Sequence, residues 1–333
     1  MHNLSRRSLI AAAAALAAAP ASWAQPAPYP SKPLTMVVAY PAGGASDAGA
    51  RIFIDPMGKD LKQPVIVENI GGGTGVIGTN KMLASAPDGY TFLYGSANEV
   101  ILAPLLNAAA KYRFTDFKAV QAATEATIIL LVRNGLNVNT LDEFITYAQK
   151  NKDKDKPLSY ATVGIDSLYH LMGDAMAKRT GANFLHVPYK GAAPALQDLA
   201  GGQVDFAILP YQVNMDGMAQ QGRLKLLTSF SKTLPPTLKH VPKIDTSKLL
   251  PDFEYTIGGG FQVRKDVPDA IVDRLRAAIG QAQSQPEVRA RLEAEVRMVL
   301  QPFTTQAQAD AYLTNMFNRY LQLLKDVGRQ PVR

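Results

Sequence analysis

The feature that most constrains this fold is a regular alternation of strand and helix patterns separated by glycine loops. A mostly apolar run, Leu34–Ala39, leads into the loop Pro41–Asp47, and a second, Val65–Glu68, leads into Gly71–Gly75. A segment of helical periodicity follows each loop, and Tyr90–Tyr94 is a third strand pattern. This spacing is typical of βαβ units, so the chain is predicted to be an α/β protein with a mainly parallel sheet.

The alternation begins again in the second half of the chain. A continuous apolar strand pattern and a mixed-charge linker, Asn151–Lys156, separate the two runs. The second run contains strand patterns at Leu158–Ala161, Phe184–Val187 and Val204–Leu209, and helix patterns at Ser167–Thr180 and Pro194–Ala200. The chain has 333 residues. It therefore has room for two such units, because domains are typically about 100–200 residues long.

The first residues form a predicted export signal. Arg6 and Arg7 precede the apolar stretch Leu9–Ala19, which is too short to span a bilayer, and small residues flank Trp23 at the expected cleavage point. We expect residues 1–24 to be a signal peptide and the mature protein to be periplasmic; the alternative is a buried N-terminal helix. The arginine pair also fits a loose twin-arginine pattern, so the export route stays open between Sec and twin-arginine.

Composition and motifs give little support for catalysis. The chain has no Cys and a formal net charge of +7, which excludes disulfides and thiolate chemistry and gives no basis for nucleic-acid binding. No G-x-S-x-G or H-E-x-x-H spacing is present. His170 lies near Asp166 and Ser167, but residues so close on one helix do not give triad geometry, so His170 is interpreted as structural. No catalytic residue, metal or cofactor is predicted.

The loops that follow strands are the candidate ligand sites, because ligands of open parallel sheets bind beyond the carboxyl ends of the strands. In the first loop, Gly43 and Gly44 allow the backbone to approach a ligand, and the amides of the following helix favour an anion. Ser46 offers a hydroxyl donor. Asp47 either belongs to the site or caps the helix.

A loop in the second half of the chain offers another set of donors. Thr162, Gly164 and Ser167 lie between a strand pattern and a helix pattern, where they are placed to bind a second anionic group. The alternative is that Asp166 or Ser167 only caps the helix.

A dinucleotide-binding fingerprint supports a rival function. Gly73, Gly75 and Gly78 spell G-x-G-x-x-G between a strand and a helix pattern, and Glu99, 21 residues beyond Gly78, is at the distance of a ribose-binding acid. The rival hypothesis is an exported NAD(P)-dependent oxidoreductase. Against it, a lone fingerprint is weak evidence, and NAD(P)H is scarce outside the cytoplasm.

Six segments together resemble one protein family. They are YPSKP at 29–33, YPAGGASD at 40–47, QPVIVEN at 63–69, APDGY at 86–90, HVPYKGAAPAL at 186–196 and GGQVD at 201–205. Over nearly the whole mature chain, the sequence resembles the Bug-type extracytoplasmic solute-binding receptors of tripartite tricarboxylate transporters. The resemblance implies a receptor, not an enzyme, that captures a small carboxylate and delivers it to membrane permease subunits. A carboxylate-sensing receptor without transport is a further alternative.

The resemblance also implies the fold: a type II periplasmic binding protein-like Venus flytrap with two α/β lobes joined by crossing strands. Lobe 1 would comprise residues 25–126 and 252–333, and lobe 2 residues 127–251, with crossings at Ala126–Val132 and Phe253–Val263. Receptors of this family hold the ligand largely through backbone amides, hydroxyls and bridging waters, without an arginine clamp.

The loops and the resemblance together give one predicted set of ligand-binding residues. They are Tyr40, Ala42, Gly43, Gly44, Ser46, Asp47, Ser96, Asn98, Thr162, Gly164, Ser167 and Tyr211. Tyr211 stands where family members often carry a polar or acidic residue, and its ring or hydroxyl is available to a ligand. Glu99 facing the pocket would repel a carboxylate unless it were protonated, water-bridged or paired with a ligand amine. We therefore also consider an aromatic or amino-bearing acid.

Overall fold

The computed structural model describes residues 28–151 and 157–332, so the predicted signal peptide and most of the mixed-charge linker lie outside the described residues. The strands are β1 (Leu34–Val38), β2 (Val65–Asn69), β3 (Thr91–Ser96), β4 (Phe117–Arg133), β5 (Leu158–Thr162), β6 (Phe184–Pro188), β7 (Phe206–Pro210), β8 (Leu224–Ser229), β9 (Thr256–Arg264) and β10 (Arg297–Val299). The helices are α1 (Ala45–Leu61), α2 (Val76–Leu83), α3 (Ala103–Leu106), α4 (Leu141–Lys150), α5 (Leu168–Thr180), α6 (Ala192–Ala200), α7 (Asn214–Gln220), α8 (Asp269–Ser284), α9 (Pro286–Ala294) and α10 (Gln306–Val327).

Within the described residues, ten strands form one continuous sheet. The main path runs β2-β1-β3-β9-β4-β7-β5-β6, and β8 and β10 also pair with β4. β1 pairs in parallel with β2 and β3 in the first half, and β5 pairs in parallel with β6 and β7 in the second half. These parallel groups confirm the predicted α/β architecture with two lobes, which β4 joins. The prediction of a mainly parallel sheet was wrong, because β9 pairs antiparallel with β3 and β4 pairs antiparallel with β7, β8, β9 and β10.

Strand β4 crosses between the two lobes. It has 17 residues. Its residues up to Thr127 pair with β9 of the first lobe, and those from Ile128 onward pair with β7 and β8 of the second. The apolar pattern predicted only Ala126–Val132 as strand, because Gln121, Thr124 and Glu125 interrupt the apolar run before it. The chain returns at Tyr255, whose N–H donates to Phe230 O at 2.7 Å.

Helix α10 contacts elements of both lobes. It packs against β4 and against α5. At its C-terminal end, Lys178 Nζ on α5 donates to Asp326 O at 2.8 Å. The helix therefore lies along the junction, where its buried residues Tyr320 and Leu324 add apolar contacts.

The glycines of the fingerprint allow α2 to pack closely on β1. A Cβ on Gly78 would lie 2.8 Å from Ile70 O and 3.0 Å from Ala39 Cα, and a Cβ on Gly75 would lie 2.9 Å from Glu99 Cβ. Protein atoms thus occupy the space that the missing side chains leave. This packing accounts for Gly75 and Gly78 without a dinucleotide, and Gly73 has φ of 60°, a backbone conformation that favours glycine.

We expect Gly78→Ala to destabilise the protein by about 1–3 kcal/mol, because the added methyl group meets backbone atoms that cannot move independently. The matched control is Gly217→Ala in α7, where an added Cβ meets nothing within 4 Å. That variant should be neutral or more stable by up to about 1 kcal/mol, because Ala is the better helix former. Urea denaturation of both variants measures the difference, and equal stabilities would contradict the packing role.

Candidate ligand-binding site

A cavity lies between the two lobes, beyond the carboxyl ends of β1 and β3. It contains about 660 Å³ of empty space, including space open to solvent. Tyr40 lies two residues beyond the end of β1 and Ser96 ends β3, and both line the cavity from the first lobe. Val163 and Tyr169 line it from the second lobe. Small-molecule sites commonly lie at the interface between two lobes or domains.

The N-terminal end of α1 forms one side of this cavity. Gly44 is the N-cap residue in an extended conformation, and it lines the cavity together with Ala45 and Ser46. The first N–H groups of a helix have no partner within the helix and carry a partial positive charge. This side of the cavity is therefore suited to an anion, as the glycine loop predicted.

Asp47 stabilises this turn instead of lining the cavity. Its carboxylate accepts hydrogen bonds from Gly43 N at 2.9 Å, Arg51 Nε at 2.9 Å and Asn69 Nδ2 at 3.0 Å. Burial raises the pKa of Asp47, but these partners outweigh burial and hold the pKa below its usual value. Ala42 and Gly43 are exposed and also lie outside the cavity lining.

The N-terminal end of α6, from the second lobe, also lines the cavity. Gly191 is its N-cap residue, and Ala192, Ala193 and Pro194 line the cavity beside it. Gly191 has φ of 153°, and a Cβ there would lie 3.1 Å from Pro41 Cδ of the first lobe. The sequence prediction began this helix at Pro194 and did not include its N-terminus in the site. Gly191 within HVPYKGAAPAL was the available signal.

The predicted second-lobe loop uses its polar atoms internally. Thr162 Oγ1 lies 2.7 Å from His186 Nε2 and donates to Gly164 O. Ser167 Oγ caps α5 by accepting from His170 N at 3.3 Å, and it donates to Gly164 O. From this loop only Val163 is among the residues that line the cavity.

Two further predicted residues have partners within the protein. Tyr211 lies outside the cavity lining, and its hydroxyl donates to Asp216 Oδ2 at 2.9 Å. Asn98 does line the cavity, but its Oδ1 accepts from Leu168 N at 2.8 Å. Of the predicted set, the structure therefore brings together five residues at the cavity: Tyr40, Gly44, Ser46, Ser96 and Asn98.

Several contacts cross from one lobe to the other around the cavity. Thr74 Oγ1 donates to Ile165 O at 2.5 Å, close to the bond between Asn98 and Leu168. Beyond the end of α10, Arg329 forms ion pairs with Asp166 at 2.9 Å and Asp174 at 2.8 Å. The lobes are therefore in contact at the second-lobe loop that contains Ile165 and Asp166 and at the start of α5.

Glu99 lies behind the cavity, not in it. Its side chain is fully buried in a π-helical turn, Asn98–Leu102, and it is absent from the cavity lining. Oε2 accepts from Ser96 Oγ at 2.6 Å, and Oε1 has no hydrogen-bond partner. Burial raises the pKa of Glu99 to about 7. Because Glu99 does not face the cavity, it does not repel a ligand carboxylate there.

Sequence reasoning missed three polar residues of the cavity: Tyr94, Tyr169 and Arg297. Arg297 is buried in β10, and its Nη2 donates to Ala45 O. β10 has three residues and no recognisable periodicity, and its pairing with β4 brings Arg297 opposite Ala126. No local sequence signal indicated this placement.

The family comparison agrees with this geometry. The family model described as tripartite tricarboxylate transporter family receptor matches residues 50–328. The chain belongs to this family. Receptors of the family are periplasmic solute-binding proteins that bind small carboxylates and work with a transporter. This assignment agrees with the receptor prediction and not with the oxidoreductase alternative.

Individual proteins support the same assignment for this receptor. A relative from Pseudomonas sp. (strain P51), the UPF0065 protein in the tcbD-tcbE intergenic region, is 32% identical over 260 residues, covering 78% of this chain and 76% of the relative. The structure of periplasmic binding protein BugD is 30% identical, with a TM-score of 0.82 over 91% of this chain and 99% of that one. MatC from Rhodopseudomonas palustris with bound malate is 28% identical, with a TM-score of 0.80 over 89% and 100%. In the part of the receptor that the structure describes, no helix is long and apolar enough to cross a membrane.

We expect Glu99 to make stability fall as pH rises from about 4.5 to 7. The unfolded chain ionises Glu99 near its ordinary pKa of 4.5, whereas the folded protein holds the proton up to about pH 7. Ionisation of Glu99 therefore lowers the free energy of unfolding by about 3 kcal/mol. This loss is absent below pH 4.5 and complete above pH 7. Glu99→Gln should remove this loss.

Urea denaturation at pH 4.5, 6 and 8 measures the effect. Glu293→Gln, an exposed change on α9, is the matched control and should keep the wild-type pH profile. Parallel profiles for wild type and Glu99→Gln would contradict the buried, protonated state.

Proposed function

We propose that this receptor captures a small carboxylate between its lobes in the periplasm and delivers it to the permease subunits of a tripartite tricarboxylate transporter. One observation carries the proposal: the N-termini of α1 and α6, from opposite lobes, open onto one cavity. The lining residues of this cavity include no acidic side chain. Two helix N-termini that converge without a counter-charge favour a bound anion.

The proposed lobe boundaries are residues 25–126 with 252–333 for lobe 1, and 127–251 for lobe 2. Support comes from β4, whose pairing partners change between Thr127 and Ile128. The return at Tyr255 lies close to the second boundary. In this proposal, lobe 1 comprises two separate segments of the chain, as the resemblance implies.

The proposed mechanism is a shift between open and closed arrangements of the lobes. Donors from α1 and α6 reach the same ligand only when the lobes are together, so an anion binds the closed form more tightly. The hydrogen bonds from Thr74 and to Asn98 form across the junction in this closed arrangement. The permease would then recognise the closed, loaded receptor.

The ligand that fits best is a carboxylate with an apolar body. Ala126, Val163 and Ile257 contribute apolar surface, and the tyrosines of the cavity contribute aromatic rings. Malate in the MatC structure shows that a related receptor binds a small aliphatic acid. The rings also support an aromatic acid. An amino-bearing acid loses its main support, because Glu99 does not face the cavity.

We expect Ala193→Asp to weaken acid binding at least about 10-fold more than Ala193→Asn. The two side chains are nearly equal in size, but only Asp adds a negative charge beside the ligand carboxylate. An acidic residue in the first turn of α6 favours the helix itself, so lost binding would not reflect a lost fold. Calorimetry measures binding, using whichever acid in a screen of malate and other aliphatic, amino and aromatic acids binds the wild type.

Ala294→Asp on the exposed end of α9 is the matched control and should bind like the wild type. Equal binding by the Asp and Asn variants would exclude an anion at this side of the cavity. A screen in which no acid binds the wild type would reject the carboxylate proposal as a whole.

We expect cells that lack this receptor to lose uptake of the acid identified by calorimetry. Ala294→Asp should restore uptake from the periplasm, and Ala193→Asp should not. Uptake of the radiolabelled acid by intact cells is the measurement. Unchanged uptake together with altered gene expression would instead support the sensing alternative.

A further inference from the structure

Arg297 is a buried cation that the protein leaves partly unpaired. Only 7% of its surface is exposed. Nη2 donates to Ala45 O in the first turn of α1, but Nε has no hydrogen-bond partner. Arg297 is also the one cationic side chain among the residues that line the cavity, and no acidic side chain lines it. A buried charge and an unmet donor are costly, so an anion bound beside Arg297 would be stabilised.

Tyr94 presents a second unpaired donor at the same place. It lines the cavity, is 2% exposed, and its hydroxyl has no partner. A Cβ on Gly49 would lie 2.7 Å from Tyr94 Oη and 2.9 Å from Arg297 Cζ, so the two groups converge over this glycine. Edge-to-face packing on Phe261, with ring centroids 5.1 Å apart, fixes the Tyr94 ring.

We infer that Arg297 and Tyr94 together bind one carboxylate of the ligand, beside the N-terminus of α1. This inference rests on the proposed function. It differs from the family resemblance, which implies a site without an arginine clamp, because it assigns the charge of Arg297 to ligand binding. A guanidinium and a phenol offer charge-assisted hydrogen bonds to a carboxylate, which are stronger than bonds between neutral groups.

The inference also defines the ligand class. An ionised carboxylate occupies the Arg297 end, and the part of the ligand that faces Val163, Pro210 and Ile257 is largely apolar. The receptor should therefore discriminate strongly between an acid and its primary amide of the same shape. A site built from amides and hydroxyls alone would discriminate less, because a neutral carbonyl also accepts their hydrogen bonds.

The test compares acid and amide pairs: malate with malamide, and benzoate with benzamide, alongside the screened acid that binds best with its own amide. Arg297→Gln should weaken acid binding about 10- to 100-fold and change amide binding little, so that the preference for the acid collapses. Arg297→Lys should recover part of the preference for the acid over its amide. Arg291→Gln on the exposed face of α9 removes the same charge and should leave the preference unchanged.

Tyr94→Phe keeps the inference testable if Arg297→Gln does not fold. It removes only a hydroxyl that has no protein partner, so stability should stay unchanged while acid binding weakens about 3- to 10-fold. Tyr112→Phe gives the opposite pattern, because the Tyr112 hydroxyl donates to Glu99 O at 2.7 Å outside the cavity lining. It should lower the denaturation midpoint and leave affinity unchanged.

The outcomes separate this inference from the proposed function. If the wild type binds an acid but Arg297→Gln and Tyr94→Phe keep the wild-type preference for it, Arg297 has only a structural role and the inference is wrong. If the wild type binds no acid, the proposed function itself fails, and this inference fails with it.

Discussion

The structure depends on one strand that belongs to both lobes. The pairing of β4 changes from β9 to β7 and β8 near Thr127, and the cavity lies at this point. Ala126 of β4 lines the cavity together with its pairing partner Ile257 and with Pro210, which pairs with Ile128. The base of the site is therefore a hydrogen-bonded sheet, whereas its sides are loops and helix ends attached to different lobes. A rigid base with sides on separate lobes allows closure without rearrangement of either lobe.

The groups that would bind an anion are placed by this junction of the two lobes. Parallel strands direct their carboxyl ends, and hence the N-termini of the following helices, toward the junction. Gly44 and Gly191 cap two of these helices and expose their first amides. The net charge of +7 contributes little to such a site, because Arg297 is the only cationic side chain of the described residues 28–151 and 157–332 that lines the cavity. In the proposed site, local backbone geometry and one buried guanidinium would determine the preference for anions.

The sequence predicted the parts of the fold and site that depend on local pattern. The strand–helix alternation is local, and so are the positions of Tyr40, Gly44 and Ser96 after their strands. The role of Thr162 was not predictable, because a hydroxyl after a strand serves equally for a ligand or for an internal bond, and His186 is its partner here. Arg297 was not predictable either, because only the antiparallel pairing of β10 with β4 brings it to the cavity.

The glycine motif that resembled a dinucleotide site illustrates how closure and binding are linked. Thr74 within the motif has φ of 54° and donates to Ile165 O, and Gly164 leaves room for it. Asn98 accepts from Leu168 N in the same region. In an open form, water would satisfy these four groups, so each bond between the lobes contributes only about 0.5–1.5 kcal/mol net. In the proposed mechanism these two bonds favour closure only weakly, and the differential binding of one anion supplies the further free energy that shifts the balance.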